Sequence, residues 1–374
     1  MRRRLTYLTG TRADFGLMQR VLEEIASSPA LELELVVTGM HLSDRFGRTE
    51  REIEASGLRI ARRIEVPIDE DSGRAMGEAA GLVTAGMADY FAGNVRDGLL
   101  VLGDRGEMLA GAVAALYAGV PIIHIAGGER SGSVDESIRH AISKLAHLHC
   151  VAVEDSAQRL IGMGEEPWRV HVTGTPGLAG LEALASVGRE ELAARYGFDP
   201  ARPYALLLFH PVVQDAAEAG AQWRAIFAAL AKGDLQVLAL LPNADHGTDA
   251  IRDAIGASGL ITIEHMPRAD YLSALRHAEL LIGNSSSGII EAATLGTPVV
   301  NVGDRQDGRL RSANVFDAGP DAESVAAAIG RARALDPTGL VNVYGEAHAD
   351  TRIRALLEET DLADRRLRKK VMTY

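Results

Sequence analysis

Short apolar runs recur along the whole chain, separated by segments of helical length, and this alternation restricts the fold more than any other feature. The candidate strands are Leu5–Thr9, Leu33–Thr38, Leu99–Leu102, Pro121–Ile125, Cys150–Val153, Val170–Thr173, Ala205–Phe209, Leu235–Leu241, Ile261–Glu264, Glu279–Ile282 and Pro298–Val302. Between them, Asp14–Ser27, Gly77–Arg96, Glu107–Ala118, Asp135–His147, Ala216–Ala231 and Ala322–Ala334 read as helices. Fully apolar strands alternating with helices predict an α/β protein whose parallel sheets are covered on both faces. Most of these strands run into Gly, Asp, Ser or His, the residue types expected where ligands meet strand carboxyl ends.

A chain of 374 residues exceeds one ordinary core, so two domains are expected. The rhythm pauses at Gly174-Thr175-Pro176-Gly177 and again over 198–203. We therefore expect two doubly wound, Rossmann-like domains, 1–176 and 177–350, facing one another across a cleft. A last helix, about 351–374, follows the second sheet and is expected to cross back to the first domain. Its basic end, 365–370, reads as a solvated helix terminus rather than a nucleic-acid tail.

The formal charge of −12 provides no basic excess to replace phosphate counterions, which argues against a nucleic-acid partner. The single cysteine, Cys150, excludes an internal disulfide framework and a cysteine-rich zinc site. No apolar run approaches membrane-spanning length, and Met1-Arg2-Arg3-Arg4 precedes too short an apolar stretch for a signal peptide, so a cytoplasmic protein is expected. The P-loop, the dinucleotide glycine fingerprint and the hydrolase nucleophile elbow are all missing.

Five stretches carry chemistry. Gly283–Gly303 reads as strand, polar turn, helix (Gly288–Leu295) and strand. Asn284, Ser285 and Ser286 sit at its turn, where free N–H groups and hydroxyls suit an anion, and Glu291 is placed to accept from a ribose diol. Gly10–Gly16 sets Arg12 at the end of the first strand, with a fork suited to phosphate, or else paired with Asp14. Asp104 follows the third strand, as a cleft carboxylate or a helix cap. Over 122–149, Glu129, Asp135, Arg139 and His140 crowd one loop and helix start, where different protonation states can stand side by side. His140, His147 and His149 have no familiar zinc spacing, so neither a metal nor any other cofactor is expected. His210, held at a strand tip by Pro211, is a candidate ligand contact.

Taken together these motifs resemble a known family. Gly10-Thr11-Arg12-Ala13-Asp14-Phe15-Gly16, Thr38–Ser43, Gly103–Glu107, His124–Glu129, Asp135–His147, His210–Val212, Gly283–Gly288 and Gly303–Arg309, in this order, are similar to the hydrolysing UDP-N-acetylglucosamine 2-epimerases of sialic-acid and legionaminic-acid biosynthesis. The resemblance implies a GT-B-like fold and metal-free chemistry. It makes Asp104, Glu129 and Asp135 the catalytic carboxylates. Arg12, Arg139, His210, Asn284, Ser285, Ser286, Glu291 and Arg305 would hold the substrate, with His41 near the sugar. Ala126 stands where the non-hydrolysing branch carries Glu, and Gly127-Gly128-Glu129 belongs to the hydrolysing one.

The implied reaction removes the C2 proton as the nucleoside diphosphate leaves C1, gives a glycal, and hydrates it to the free 2-epimer. Asp104 is the expected first base, while Glu129 and Asp135 divide the later acid and base roles. The competing reading is a GT-B glycosyltransferase using the same nucleotide-sugar donor. Uridine or guanine, and N-acetylglucosamine or a 2,4-diacetamido sugar, both stay open. A homo-oligomer, dimer or tetramer, is expected from the family.

Overall fold

The computed structural model describes residues 2–68, 70, 72–131, 134–231, 233–243, 245–345, 348–371 and 373. It contains two wholly parallel sheets. The first is built from β1 (Arg3–Thr9), β2 (Leu31–Thr38), β3 (Ile60–Ile64), β4 (Gly98–Leu102), β5 (Ile122–Ile125), β6 (Leu148–Val151) and β7 (Val170–Val172) in the order β3-β2-β1-β4-β5-β6-β7. The second takes β8 (Tyr204–Leu208), β9 (Gln236–Leu240), β10 (Ile261–Ile263), β11 (Leu280–Gly283), β12 (Val299–Val302) and β13 (Val315–Ala318) in the order β10-β9-β8-β11-β12-β13. These are two Rossmann-like domains. Strand order reverses between β1 and β4 in one and between β8 and β11 in the other, opening a crevice at the carboxyl ends of those strands. Asp104 and His210 follow β4 and β8, so the crevices collect the motif residues.

β3 and β13 are absent from the expected strands. Both lie at sheet edges, and both carry charge: Arg62 and Arg63 are exposed on β3, and Asp317 on β13. An edge strand faces solvent on more sides, so its sequence lacks the apolar run that marks a central one.

Residues 178–193 pack in the second core, beside Leu206, Leu238 and Leu281. The chain end returns to the first domain, where Ile353, Leu357, Leu362 and Leu367 join Phe15, Met18 and Leu22. It is two helices, Ala349–Glu359 and Arg365–Arg368, not the one expected over about 351–374. The break comes at Thr360, which is extended, and Asp364 recaps the chain by accepting from Arg366 N at 2.8 Å. Nor is the basic end wholly solvated, because Lys370 turns inward.

Its ammonium donates to the carbonyls of Ser143, Lys144 and Ala146 at 2.7–2.9 Å, closing the end of helix Val134–Leu145. Lys370 also lies 2.7 Å from the fully buried carboxylate of Glu165, which Lys144 and His149 approach at 2.9 and 3.0 Å. Burial pushes the Glu165 carboxyl up, but hydrogen bonds from His149 and Lys370 and their charges prevail and hold it at about 2. Its folded value lies below the unfolded one, so its contribution is present above about pH 4.5 and is lost as pH falls toward 2. Glu165→Ala strands the largely buried Lys370 ammonium and the fully buried His149 ring. The expected cost is about 3–5 kcal/mol in the denaturant midpoint at pH 7, shrinking toward pH 3. An unchanged midpoint would mean the cluster contributes nothing. No described helix is long and apolar enough to cross a membrane.

Candidate active site

A cavity of about 620 Å³ lies between the domains, lined from the first by Asp104, Glu129, Asp135 and Arg139 and from the second by Ser286 and Arg305. Its walls follow from local structure. β4 ends at Gly103, whose φ of +72° turns the chain so that Asp104 leaves the sheet at the cavity wall. β11 ends at Gly283, where a Cβ would stand 1.9 Å from the carbonyl oxygen of Leu208. Only glycine lets β11 and β8 stay paired up to the turn that carries the serines.

Arg139, 1% exposed, organises the carboxylates. It pairs with Asp104 and donates to the carbonyl of Glu129 and to Ser131 Oγ, both at 3.2 Å. Burial, with Arg309 and Arg305 close by, lowers its pKa well below the usual arginine value. Glu129 is itself 5% exposed; one oxygen faces Arg309 at 3.2 Å and the other has no partner among the described residues. A buried carboxylate oxygen without a donor costs free energy unless something supplies one. Asp135 lies 3.9 Å from Arg305, which also donates to the carbonyl of Asn284 at 3.0 Å. Gly132 and Ser133 of this loop lie outside the described residues.

On the nucleotide side the helix is Ser286–Ile290, shorter and earlier than the expected Gly288–Leu295. Gly296 turns the chain back with φ +74°, and 291–296 form turns. A helix this short brings little dipole, so the burden of anion binding shifts to Arg305 and the free N–H groups of the turn. Ser285 caps it, accepting from Ser287 N. Glu291 follows it as the C-cap, 1% exposed; one oxygen pairs with Arg268 and the other has no partner among the described residues.

Arg12 does not pair with Asp14. Asp14 closes its own capping box with Thr11, and burial, offset in part by the Thr9 hydrogen bond, raises its carboxyl to about 6. Arg12 instead crosses to the second domain and donates to the carbonyl of Met266 at 2.7 Å and to His265 Nδ1 at 3.2 Å. His210 is buried, and burial with Arg305 nearby lowers it to about 3, so it is a neutral ring rather than a cation. Asn243 N donates to its Nδ1 at 3.4 Å, which leaves the proton on Nε2.

Of the expected ligand contacts, Arg139, Ser286 and Arg305 line the cavity while Arg12, His41, His210, Asn284, Ser285 and Glu291 do not, and the hydrogen bonds of two of these show where they are held instead. Asn284 spends both ends of its amide on the His210 backbone, at 2.7 and 2.8 Å, and so ties β8 to β11. His41 is fully buried, its ring nitrogens held by Thr9 and Thr49 hydroxyls at 2.9 and 2.8 Å, and burial lowers it to about 4. Sequence reasoning in turn passed over Arg105, Asp245, Arg268 and Arg309. Arg105 joins Glu107 at 2.8 Å to Asp245 of the other domain at 3.3 Å. Arg309 closes the Gly303–Arg309 motif, a signal that was present. Arg268 and Asp245 stand in no motif.

A family model described as UDP-N-acetylglucosamine 2-epimerase matches residues 23–358. The chain belongs to that family. A UDP-N,N'-diacetylbacillosamine 2-epimerase (hydrolyzing) of Legionella pneumophila is 40% identical over 99% of both chains. A UDP-N-acetylglucosamine 2-epimerase of Neisseria meningitidis is 35% identical over 84% of this chain and 86% of its own. Among solved structures, the UDP-GlcNAc 2-epimerase from Neisseria meningitidis bound to UDP-GlcNAc superposes with a TM-score of 0.80 at 17% identity, covering 96% of this chain and 100% of its own. That likeness establishes the epimerase fold for this member.

Proposed function

We propose that this protein is a hydrolysing nucleotide-sugar 2-epimerase that releases the free 2-epimer and a nucleoside diphosphate. The observation that carries the reading is the single cavity where Asp104, Glu129, Asp135 and Arg139 of one domain face Arg305 and Ser286 of the other. An elimination needs a base at C2 and positive charge at the departing diphosphate, and this cavity has both, contributed by different domains. A glycosyltransferase has no use for three carboxylates around one sugar carbon pair, and the Legionella relative, similar over its whole length, is named as hydrolysing.

In the proposed reaction Asp104, held by Arg139, takes the C2 proton while the C1–O bond to the diphosphate breaks. Arg305, the Nε2–H of His210 and the N–H groups of the Ser285-Ser286 turn receive the charge that develops there. Arg12 and Glu291 hold the nucleotide, with the unpartnered Glu291 oxygen available to a ribose hydroxyl. Water then adds at C1 of the glycal as a proton returns to C2 from the opposite face. Glu129, with its free buried oxygen, and Asp135 share that step. His41 and Asn284 serve as supports behind the contact surface. The domain boundary is proposed at 176/177.

Within the family we propose a UDP-activated 2,4-diacetamido-2,4,6-trideoxy sugar as the preferred donor. Beyond Asp104 the cavity is walled by Val66, Ile68, Met76, Val83, Leu109 and Val113. The Thr84 hydroxyl, a polar group among the described residues of this wall, donates to the carbonyl of Ala80 at 2.9 Å. A sugar 6-hydroxyl entering there exchanges water for a largely apolar wall, whereas a 6-methyl or an acetyl methyl gains burial.

Proton NMR in heavy water tests both levels. The expected result is UDP plus a manno-configured sugar carrying deuterium at C2, with kcat/KM about tenfold or more higher for the diacetamido donor than for UDP-N-acetylglucosamine. Equal rates on the two donors would remove the apolar-wall argument. No UDP release until an acceptor is added would replace the epimerase with the transferase.

A further inference from the structure

The three carboxylates sit on three separate segments, and one side chain behind the cavity touches all three segments. His124, on β5, is fully buried. Its Nε2 lies 2.7 Å from the carbonyl oxygen of Gly103, the residue before Asp104. Its Nδ1 lies 3.0 Å from Ser143 Oγ, on the helix whose first turn carries Asp135 and whose next turn carries Arg139. Gly127, two residues before Glu129, is packed so closely that a Cβ there would stand 2.8 Å from His124 Nδ1 and 3.1 Å from Ser143 Oγ.

We propose that His124 is a positioning residue for the epimerase reaction, a single imidazole that sets the spacing of the Asp104, Glu129 and Asp135 segments. A carbonyl only accepts, so Nε2 carries the proton, and the one Ser143 hydroxyl proton is shared between Nδ1 and the carbonyl of Arg139, 3.1 Å away. This directionality ties the β4 end to helix 134–145 in one register. The bare Cα of Gly127 then rests against the ring edge and fixes the height of the Glu129 loop. Burial lowers the imidazole to about 3, so the same tautomer persists across the working pH range. Leucine fills similar space but leaves the half-buried Gly103 carbonyl without its donor and the Ser143 hydroxyl bonded to the Arg139 carbonyl alone, so the β4 end and the helix are no longer tied to each other. Positional errors of about 1 Å at reacting groups cost about 100-fold in rate.

The inference rests on the three carboxylates being the reacting groups. The experiment compares His124→Leu, His124→Asn, Ser143→Ala and the His124→Leu/Ser143→Ala pair, each titrated with UDP to count folded sites. For His124→Leu the expected kcat per folded site is about 10–100-fold lower, with UDP affinity within about threefold of wild type. Ser143→Ala should lose several-fold, His124→Asn should recover part of the rate by restoring one hydrogen bond, and the double variant should be no slower than His124→Leu. NMR should detect free glycal from the slow variants, because a displaced Glu129 or Asp135 hydrates it poorly. Additive losses in the double variant, or a His124→Leu rate per folded site within threefold of wild type, would overturn the proposal. If His124→Leu does not fold, a Ser143→Ala enzyme with wild-type kcat and no glycal would do the same. Wild-type turnover by Asp104→Asn would instead sink the carboxylate assignment beneath it.

Discussion

Glu129→Gln enzyme will bind UDP almost as tightly as wild type and will turn over about 10²–10⁴-fold more slowly. Glutamine keeps the size and can still accept from Arg309, so the contact between the domains, 3.2 Å in the native protein, survives. What it removes is the proton-bearing capacity of the oxygen that has no partner among the described residues. Asp104→Asn and Asp135→Asn should behave alike in rate but differ in step. With Asp104→Asn, exchange of the C2 proton with solvent should stop together with UDP release, because both need the first deprotonation. With Glu129→Gln, UDP release should outlast formation of the saturated product, and glycal should build up. Single-turnover NMR with isothermal titration of UDP separates these outcomes. A Glu129→Gln enzyme that loses UDP affinity in proportion to its rate would make Glu129 a structural partner of Arg309 and nothing more.

Removing Arg305 will show the opposite pattern. Arg305→Ala should weaken UDP binding by about 10–100-fold, the worth of one charge-assisted contact to phosphate in a site closed to water. Burial already lowers the Arg305 pKa, with Asp135 and Asp245 pulling the other way, so the guanidinium is held desolvated before any ligand arrives. The preorganised charge makes its loss expensive, and its contact with the Asn284 carbonyl aims it at the turn. Raising the ionic strength should weaken wild-type binding more than Arg305→Ala binding. Calorimetry at two salt concentrations checks this, and equal affinities for the two proteins would move the phosphate site elsewhere.

Much of the site was legible because its residues follow strand ends that announce themselves. Asp104 and His210 each come directly after an apolar run and before a polar turn, so their placement at a carboxyl edge follows from counting along the chain. Glu129, Asp135 and Arg139 were legible as a crowd. The supports were not. Nothing in the local sequence says that His41 turns inward to two threonines, or that the Asn284 amide is consumed by the His210 backbone, since both depend on neighbours 8 to 74 residues away. Arg105 and Asp245 illustrate the same limit across the cleft, being joined only when the domains close on each other.

The alternation of apolar runs with helical segments determined the parallel sheets by itself, because strands buried on both faces must be apolar throughout and must be joined by crossovers. It also determined which residues stand at the carboxyl edges. Tertiary structure alone decided how those edges meet. The pairing of Arg12 with Met266 O, Glu129 with Arg309 and Arg105 with Asp245 is set by the approach of two separately wound domains. Likewise, burial of His124 among Gly103, Gly127 and Ser143 depends on three chain segments reaching one point. Local propensity acts over a few residues, whereas desolvation and hydrogen-bond partnership depend on whatever the folded chain brings within about 3 Å.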